Sequence, residues 1–141
     1  MIVDQGLELL TEDQCRQLLA GGQVGRVGVT MGALPAIFPV NYLVVDGAIV
    51  FRTTPGTKLS AAMEGAVVAF EVDDYQLTDR SGWSVLAVGR AEVVANPAPG
   101  FIGGLARLES FVDGTRTAVV KIDPMFLSGR RLVHAPPYAD S

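Results

Sequence analysis

Apolar residues recur at every second position over residues 24–31, with Val27 and Val29 on one side and Arg26 and Gly28 on the other. That is the period of a half-buried strand. After a Gly-containing turn the period resumes over residues 35–45, a longer strand with Ala36, Phe38, Val40, Tyr42 and Val44 on one face. Pro39 and Asn41 face the other way. Asp46-Gly47 is a strong hairpin signal, so a third strand follows over residues 48–53. Residues 66–72 predict a further strand and residues 73–82 a polar loop. Residues 83–95 predict a long strand whose Val85, Ala87, Gly89, Ala91 and Val93 make an unbroken face of small to medium apolar side chains. Pro97-Ala98-Pro99-Gly100 breaks it. Residues 117–122 and 126–133 read as two closing strands separated by Asp123-Pro124.

Helical signals are short. Thr11-Glu12-Asp13-Gln14 has the capping-box pattern, with acidic residues in the first turn to suit the helix dipole. Cys15, Leu18 and Leu19 share a face, and Gly21-Gly22 stops the helix. Residues 57–64 predict a second short helix ending near Gly65, and residues 101–112 a helix and loop. Six or seven strands, tight turns between neighbours and few helices predict a mainly β fold with minor α, a largely antiparallel barrel. No repeat or dividing linker is visible, so residues 1–134 are expected to form one domain and residues 135–141 a flexible tail.

Composition narrows this further. With 141 residues, 49% apolar and 18% charged, the chain can bury a real core and is not a disordered polymer. A net charge of −4 without any basic run disfavours nucleic acid and anionic membranes as partners. One cysteine (Cys15) and one histidine (His134) allow neither an internal disulfide nor a zinc site. Residues 1–5 have no basic signal-peptide region. No apolar run reaches the roughly 18 residues of a membrane helix; the longest, residues 33–45, is interrupted by Pro35, Pro39 and Asn41. A cytoplasmic protein is the expectation.

Chemistry concentrates in Ile49-Val50-Phe51-Arg52-Thr53-Thr54-Pro55-Gly56-Thr57-Lys58-Leu59. An apolar strand runs into Arg, two Thr, a Gly turn, a Thr and a Lys, then a helix start whose backbone N–H groups carry partial positive charge. Cations and hydroxyl donors so close together suit a phosphate or another small oxyanion.

In this order and spacing the chain resembles the FMN-binding split-barrel superfamily, the pyridoxamine 5′-phosphate oxidase-like proteins. The resemblance rests on Val24-Gly25-Arg26-Val27-Gly28, Pro39-Val40-Asn41-Tyr42, Asp46-Gly47 with the strand to Thr53, Gly56-Thr57-Lys58, the strand from Ala66 to Asp73, and Gly82-Trp83-Ser84 with the strand to Ala91. It implies a split barrel in which Arg52 and Lys58 pair with the flavin phosphate and Thr53 and Thr57 serve as hydroxyl donors. It also implies that Pro39, Val40 and Asn41 lie along the isoalloxazine ring, with Trp83 and Ser84 near the flavin at the barrel rim. The family usually completes this site from a second subunit, which implies a homodimer acting on a small molecule. The substrate-specific Arg and His of the pyridoxamine phosphate oxidases proper have no counterpart in residues 105–132. The chain is closer to the short members, nitroimidazole-reductase-like and actinobacterial proteins. By resemblance FMN is the cofactor and the reaction class is hydride or electron transfer at the flavin, with no catalytic side chain evident. Two alternatives stand beside it: a deazaflavin (coenzyme F-420) reductase, whose oligoglutamate tail asks for a basic groove this acidic chain does not show, and a non-enzymatic flavin or haem binder.

Blander readings are open for each residue. Arg52 and Lys58 could be solvated positions at a strand end and on a helix, and Trp83 a core or interface anchor. Cys15 reads as a buried helix residue, and His134 lies past the last strand. Asp73-Asp74 reads as part of a solvated loop, and Arg130-Arg131 as a solvated edge rather than an anion site.

Overall fold

The computed structural model describes residues 2–3, 7–95, 97 and 118–132. In chain order the elements are β1 (Ile2–Val3), β2 (Leu7–Leu9), α1 (Glu12–Gly21), β3 (Val24–Met31), β4 (Leu34–Val45), β5 (Ala48–Thr53), α2 (Lys58–Met63), β6 (Val67–Gln76), β7 (Ser81–Ala95) and β8 (Ala118–Leu132). Every pairing is antiparallel. Strands run β8–β5–β4–β3–β6–β7, and β7 returns to β8, so β3 to β8 close a ring while β1 and β2 extend it along one side of β8. Closure removes the open edges that a flat sheet would leave. The ring is thinnest between β3 and β6, which meet over residues 26–28 and 69–71 only.

Local sequence accounts for most of these elements. Asp46 and Gly47 take φ values of 50° and 82°, as a type I′ hairpin turn requires. At the start of α1, Thr11 Oγ1 accepts the Gln14 N–H at 3.2 Å and Gln14 Oε1 accepts the Thr11 N–H at 2.8 Å. Alternation puts Val27, Tyr42, Ile49, Phe51, Phe70, Val85, Ala87 and Ala91 inside the barrel, each at most 1% exposed. Burying one of the larger of these side chains contributes about 1.5–3 kcal/mol.

The helices cover the interior. Cys15 and Leu19 of α1 are buried, and the Tyr42 hydroxyl donates to the Leu19 carbonyl at 2.5 Å, satisfying a helix-end acceptor. Tyr42 also meets Phe70 edge to face, with ring centroids 4.7 Å apart. Burial pushes the Tyr42 hydroxyl up to about 12, so it stays a donor at any ordinary pH. Burial, and then Glu12, raise the Cys15 thiol, which leaves it a packing residue. At the far end of α2, Glu64 accepts the Val93 N–H at 2.7 Å, and Gly65 donates to Ala91 O at 2.9 Å.

Two segments differ from their sequence-based expectation. Residues 73–82 are no loop: β6 and β7 stay paired out to Gln76 and Ser81 and turn over residues 77–80. Asp73, Asp74, Tyr75 and Gln76 are all exposed, so this end of the hairpin shows no inside–outside alternation and its sequence looks like a loop. Asp79 holds the turn, accepting from the Ser81 N–H at 3.1 Å and the Ser81 hydroxyl at 2.6 Å. Nor does Asp123-Pro124 divide two strands. β8 is continuous, and its register against β7 slips between Val88 and Gly89, opposite Phe126 and Pro124. A bulge takes up Met125 and tolerates the proline's missing N–H. The short strands β1 and β2 have no clear sequence signal. The helix expected over residues 101–112, His134 and the tail lie outside the described residues.

Candidate functional site

β5 lies between β4 and β8, so its end carries the donor-rich stretch to the barrel rim. Ile49, Phe51 and Thr53 point inward by alternation, and Arg52 points outward on the side of Ala48 and Val50, which pack against Val119, Leu43 and Val45. Arg52 is half-buried, Thr53 is buried, and Lys58, the first residue of α2, is exposed. Asn41 and Arg52 are the next residues on their strands beyond the Tyr42–Phe51 rung. Both therefore face outward, as does exposed Pro39, while Val40 packs against the core.

The turn from Thr54 to Thr57 passes through Gly56 at φ 80°. Thr57 builds this turn with its own hydroxyl: Oγ1 lies 3.0 Å from Thr54 O and accepts the Ser60 N–H at 3.1 Å. Ser60 Oγ in turn accepts the Thr57 N–H at 3.1 Å. Thr57 thus shapes the cradle, while Lys58 projects from it. α2 spans six residues, so side chains rather than its dipole supply the positive charge here. Thr54 Oγ1 is buried without a hydrogen-bond partner among the described residues. An orphaned buried hydroxyl costs about 1–3 kcal/mol. It lies between Arg52 and Lys58 in the sequence, and an orphaned hydroxyl beside two cationic residues suits a site that an oxyanion completes.

Trp83 and Ser84 stand apart from this group. They line a second groove, of about 320 Å³, with Leu7, Asp73, Tyr75, Gly82, Arg130 and Leu132. Val94, not Ser84, shares the Val119 rung with Arg52. Ten residues of β7, roughly 33 Å of strand path, separate Val94 from Ser84.

Several functional candidates were not evident in the sequence. Arg26 Nε and Nη2 donate to Glu71 Oε1 at 2.8 and 2.6 Å, and Nη2 also lies 3.0 Å from Asp73. Burial, then the Asp73 contact, outweigh Arg26 and push the Glu71 carboxyl up, while the Glu71 hydrogen bond raises Arg26. These residues line a shallow outer groove of about 330 Å³ with Gly28, Ile37 and Ala69. A lone Glu inside the apolar run of β6 was the available signal. The Arg130-Arg131 pair splits: Arg131 lies 3.6 Å from Glu8, and Arg130 lines the Trp83 groove. No group of three or more potential metal-ligating side chains occurs among the described residues. Nor is any described helix long and apolar enough to cross a membrane.

A closed antiparallel ring of six strands, packed with short helices, defines the split-barrel class. The chain belongs to the pyridoxamine 5′-phosphate oxidase family, whose model matches residues 11–131. An uncharacterized protein of Mycobacterium tuberculosis, Rv0080, is 41% identical over 130 residues, covering 88% of this chain and 84% of that protein. Among solved structures, the FAD binding protein from Mycobacterium smegmatis is 33% identical with a TM-score of 0.73, covering 88% of this chain and 98% of that one. The FAD and heme binding protein from the same organism shares the fold at 18% identity, with a TM-score of 0.74 over 96% of this chain and 77% of that one.

Proposed function

We propose that this chain is a cytoplasmic, homodimeric flavoprotein that holds the 5′-phosphate of FMN at the end of β5 and carries out hydride or electron transfer on a small molecule. The observation that carries this reading is the end of β5, where half-buried Arg52, the orphaned Thr54 hydroxyl and exposed Lys58 follow one another along the chain, while Thr53 is turned inward and buried. Their chemistry fits a phosphate: two cations for its charge and hydroxyls for its remaining lone pairs. Pro39 and Asn41 on the same outer face would then run beside the ring. When bound, the flavin supplies the redox chemistry, and the protein supplies binding, orientation and partial exclusion of water.

A second reading, FAD, is favoured by the 33%-identical relative named for binding it. Both cofactors carry the phosphate this rim would hold. Absorbance of the freshly purified protein tests the class: flavin bands near ~375 and ~450 nm are expected, against one band near ~420 nm for a deazaflavin or a Soret band for haem. Mass analysis of the released cofactor separates FMN from FAD. A colourless protein that takes up neither on incubation overturns the reading.

The homodimer has two supports. The distance of Trp83 and Ser84 from Arg52 along one chain asks for a second copy if both ends are to meet one flavin. The outer face also carries a transverse apolar row, Ile37–Gly28–Ala69–Val88–Phe126, across five strands. Ile37 is 73% and Phe126 69% exposed, and such rows mark association surfaces. Light scattering should report a dimer at micromolar concentration for the wild type and a monomer for Ile37→Glu/Phe126→Glu. Both side chains are exposed in the single chain, so the variant should stay folded and lose flavin. A monomeric wild type would refute the shared site.

A further inference from the structure

Of the lysines and arginines among the described residues, Lys58 and Arg130 are the two without a hydrogen bond or an ion pair. Lys58 belongs to the rim already described. Arg130 stands on the outer face of β8, in one cross-strand row with Ser84 and Asp73. The adjoining row is Tyr75, Gly82, Leu132 and Leu7. These two rows line the groove of about 320 Å³. Gly82 brings no side chain to it, and an added Cβ would lie 2.7 Å from Asp74 O. Tyr75, 51% exposed, offers an aromatic wall, with Leu7 and Leu132 further along. The Ser84 hydroxyl, like Arg130, has no partner among the described residues. The groove thus joins apolar walls to one unspent cation and one unspent hydroxyl.

We propose that this groove is a subsite for a small, flat monoanion, a ring bearing one carboxylate, with Arg130 as its counter-ion and Ser84 as a second donor. The guanidinium fork matches the two oxygens of a carboxylate. Asp73, at the end of the same row, argues for a single charge: its carboxylate is held by Arg26 at 3.0 Å and would repel a dianion such as a phosphate ester. The subsite deepens the flavoprotein reading by naming a substrate class, yet binding there requires no flavin.

Trp83 borders the groove but packs its side chain against the core on the other face of β7, so occupancy is read by titration calorimetry. Flavin-free protein is titrated with benzoate and with benzamide, which keeps the shape and removes the charge. Benzoate should saturate the heat signal with an affinity about tenfold above that of benzamide. Arg130→Gln should abolish that preference and remain a dimer, while Arg131→Gln, whose arginine faces Glu8, should retain it. Equal affinity for both probes in the wild type overturns the proposal. So does a preference that survives Arg130→Gln, one lost equally in Arg131→Gln, or dissociation of the Arg130→Gln dimer, which would make Arg130 an interface residue. Benzoate affinity should not change in an Arg52→Ala/Lys58→Ala variant, so failure of the phosphate rim and failure of this subsite are read in separate measurements.

Discussion

Gly89→Ala is expected to cost the fold about 3–5 kcal/mol, at the upper end of overpacking effects. A Cβ at this position would lie 2.1 Å from Asp123 O and 2.9 Å from Asp123 C. Both atoms are backbone, so no rotamer change relieves the contact. β8 cannot retreat either, since Ile122 and Asp123 are paired with Ala91 and Arg90 beside the bulge. Strand closure at this corner therefore depends on a missing side chain. With a urea m-value of about 1–3 kcal/mol/M for a domain this small, the unfolding midpoint should fall by roughly 2 M, or the variant should be recovered unfolded. Gly28→Ala is the control: its added Cβ would meet Ala69 Cβ at 3.6 Å, an ordinary contact. A Gly89→Ala unfolding free energy within ~0.5 kcal/mol of wild type would mean that β7 and β8 do not cross as closely as described.

The second large effect concerns the phosphate. FMN is expected to bind the wild type at least about a hundredfold more tightly than riboflavin, because two charge-assisted contacts of roughly 1.5–3 kcal/mol each act on it, reduced by solvent around exposed Lys58. Arg52→Ala/Lys58→Ala should remove most of that gap, weakening FMN about a hundredfold and riboflavin by less than about threefold. Titrating both flavins against both proteins gives the coupling as a thermodynamic cycle. The FMN advantage should also shrink with added salt, whereas riboflavin binding should not. Lys58 has no hydrogen bond or ion pair among the described residues, so a stability change in the double variant is assigned to Arg52 and read separately by denaturation. Equal wild-type affinity for the two flavins would reduce the rim to a solvated turn.

Sequence alone determined whatever rests on neighbours along the chain. The capping box at Thr11, the Asp46-Gly47 turn, the bounds of β3 and the inward face of β7 follow from local hydrogen bonding, backbone preference and the two-residue period. The donor stretch from Arg52 to Lys58 was legible for the same reason, being contiguous. Tertiary structure decided what depends on partners far away in sequence. It converted residues 73–82 into a hairpin, because pairing to β7 rather than burial holds the end of β6, which is exposed on both faces. It absorbed Pro124 into a bulge, and it gave Thr57 to the turn while leaving the Thr54 hydroxyl without a partner. It also divided Arg130 from Arg131 by the alternation of β8, and set Trp83 and Ser84 in a groove of their own, ten residues along β7 from the rung of Arg52. The reason is physical. A strand's sequence records which face is buried, but only the closed ring of hydrogen bonds sets which side chains share a row.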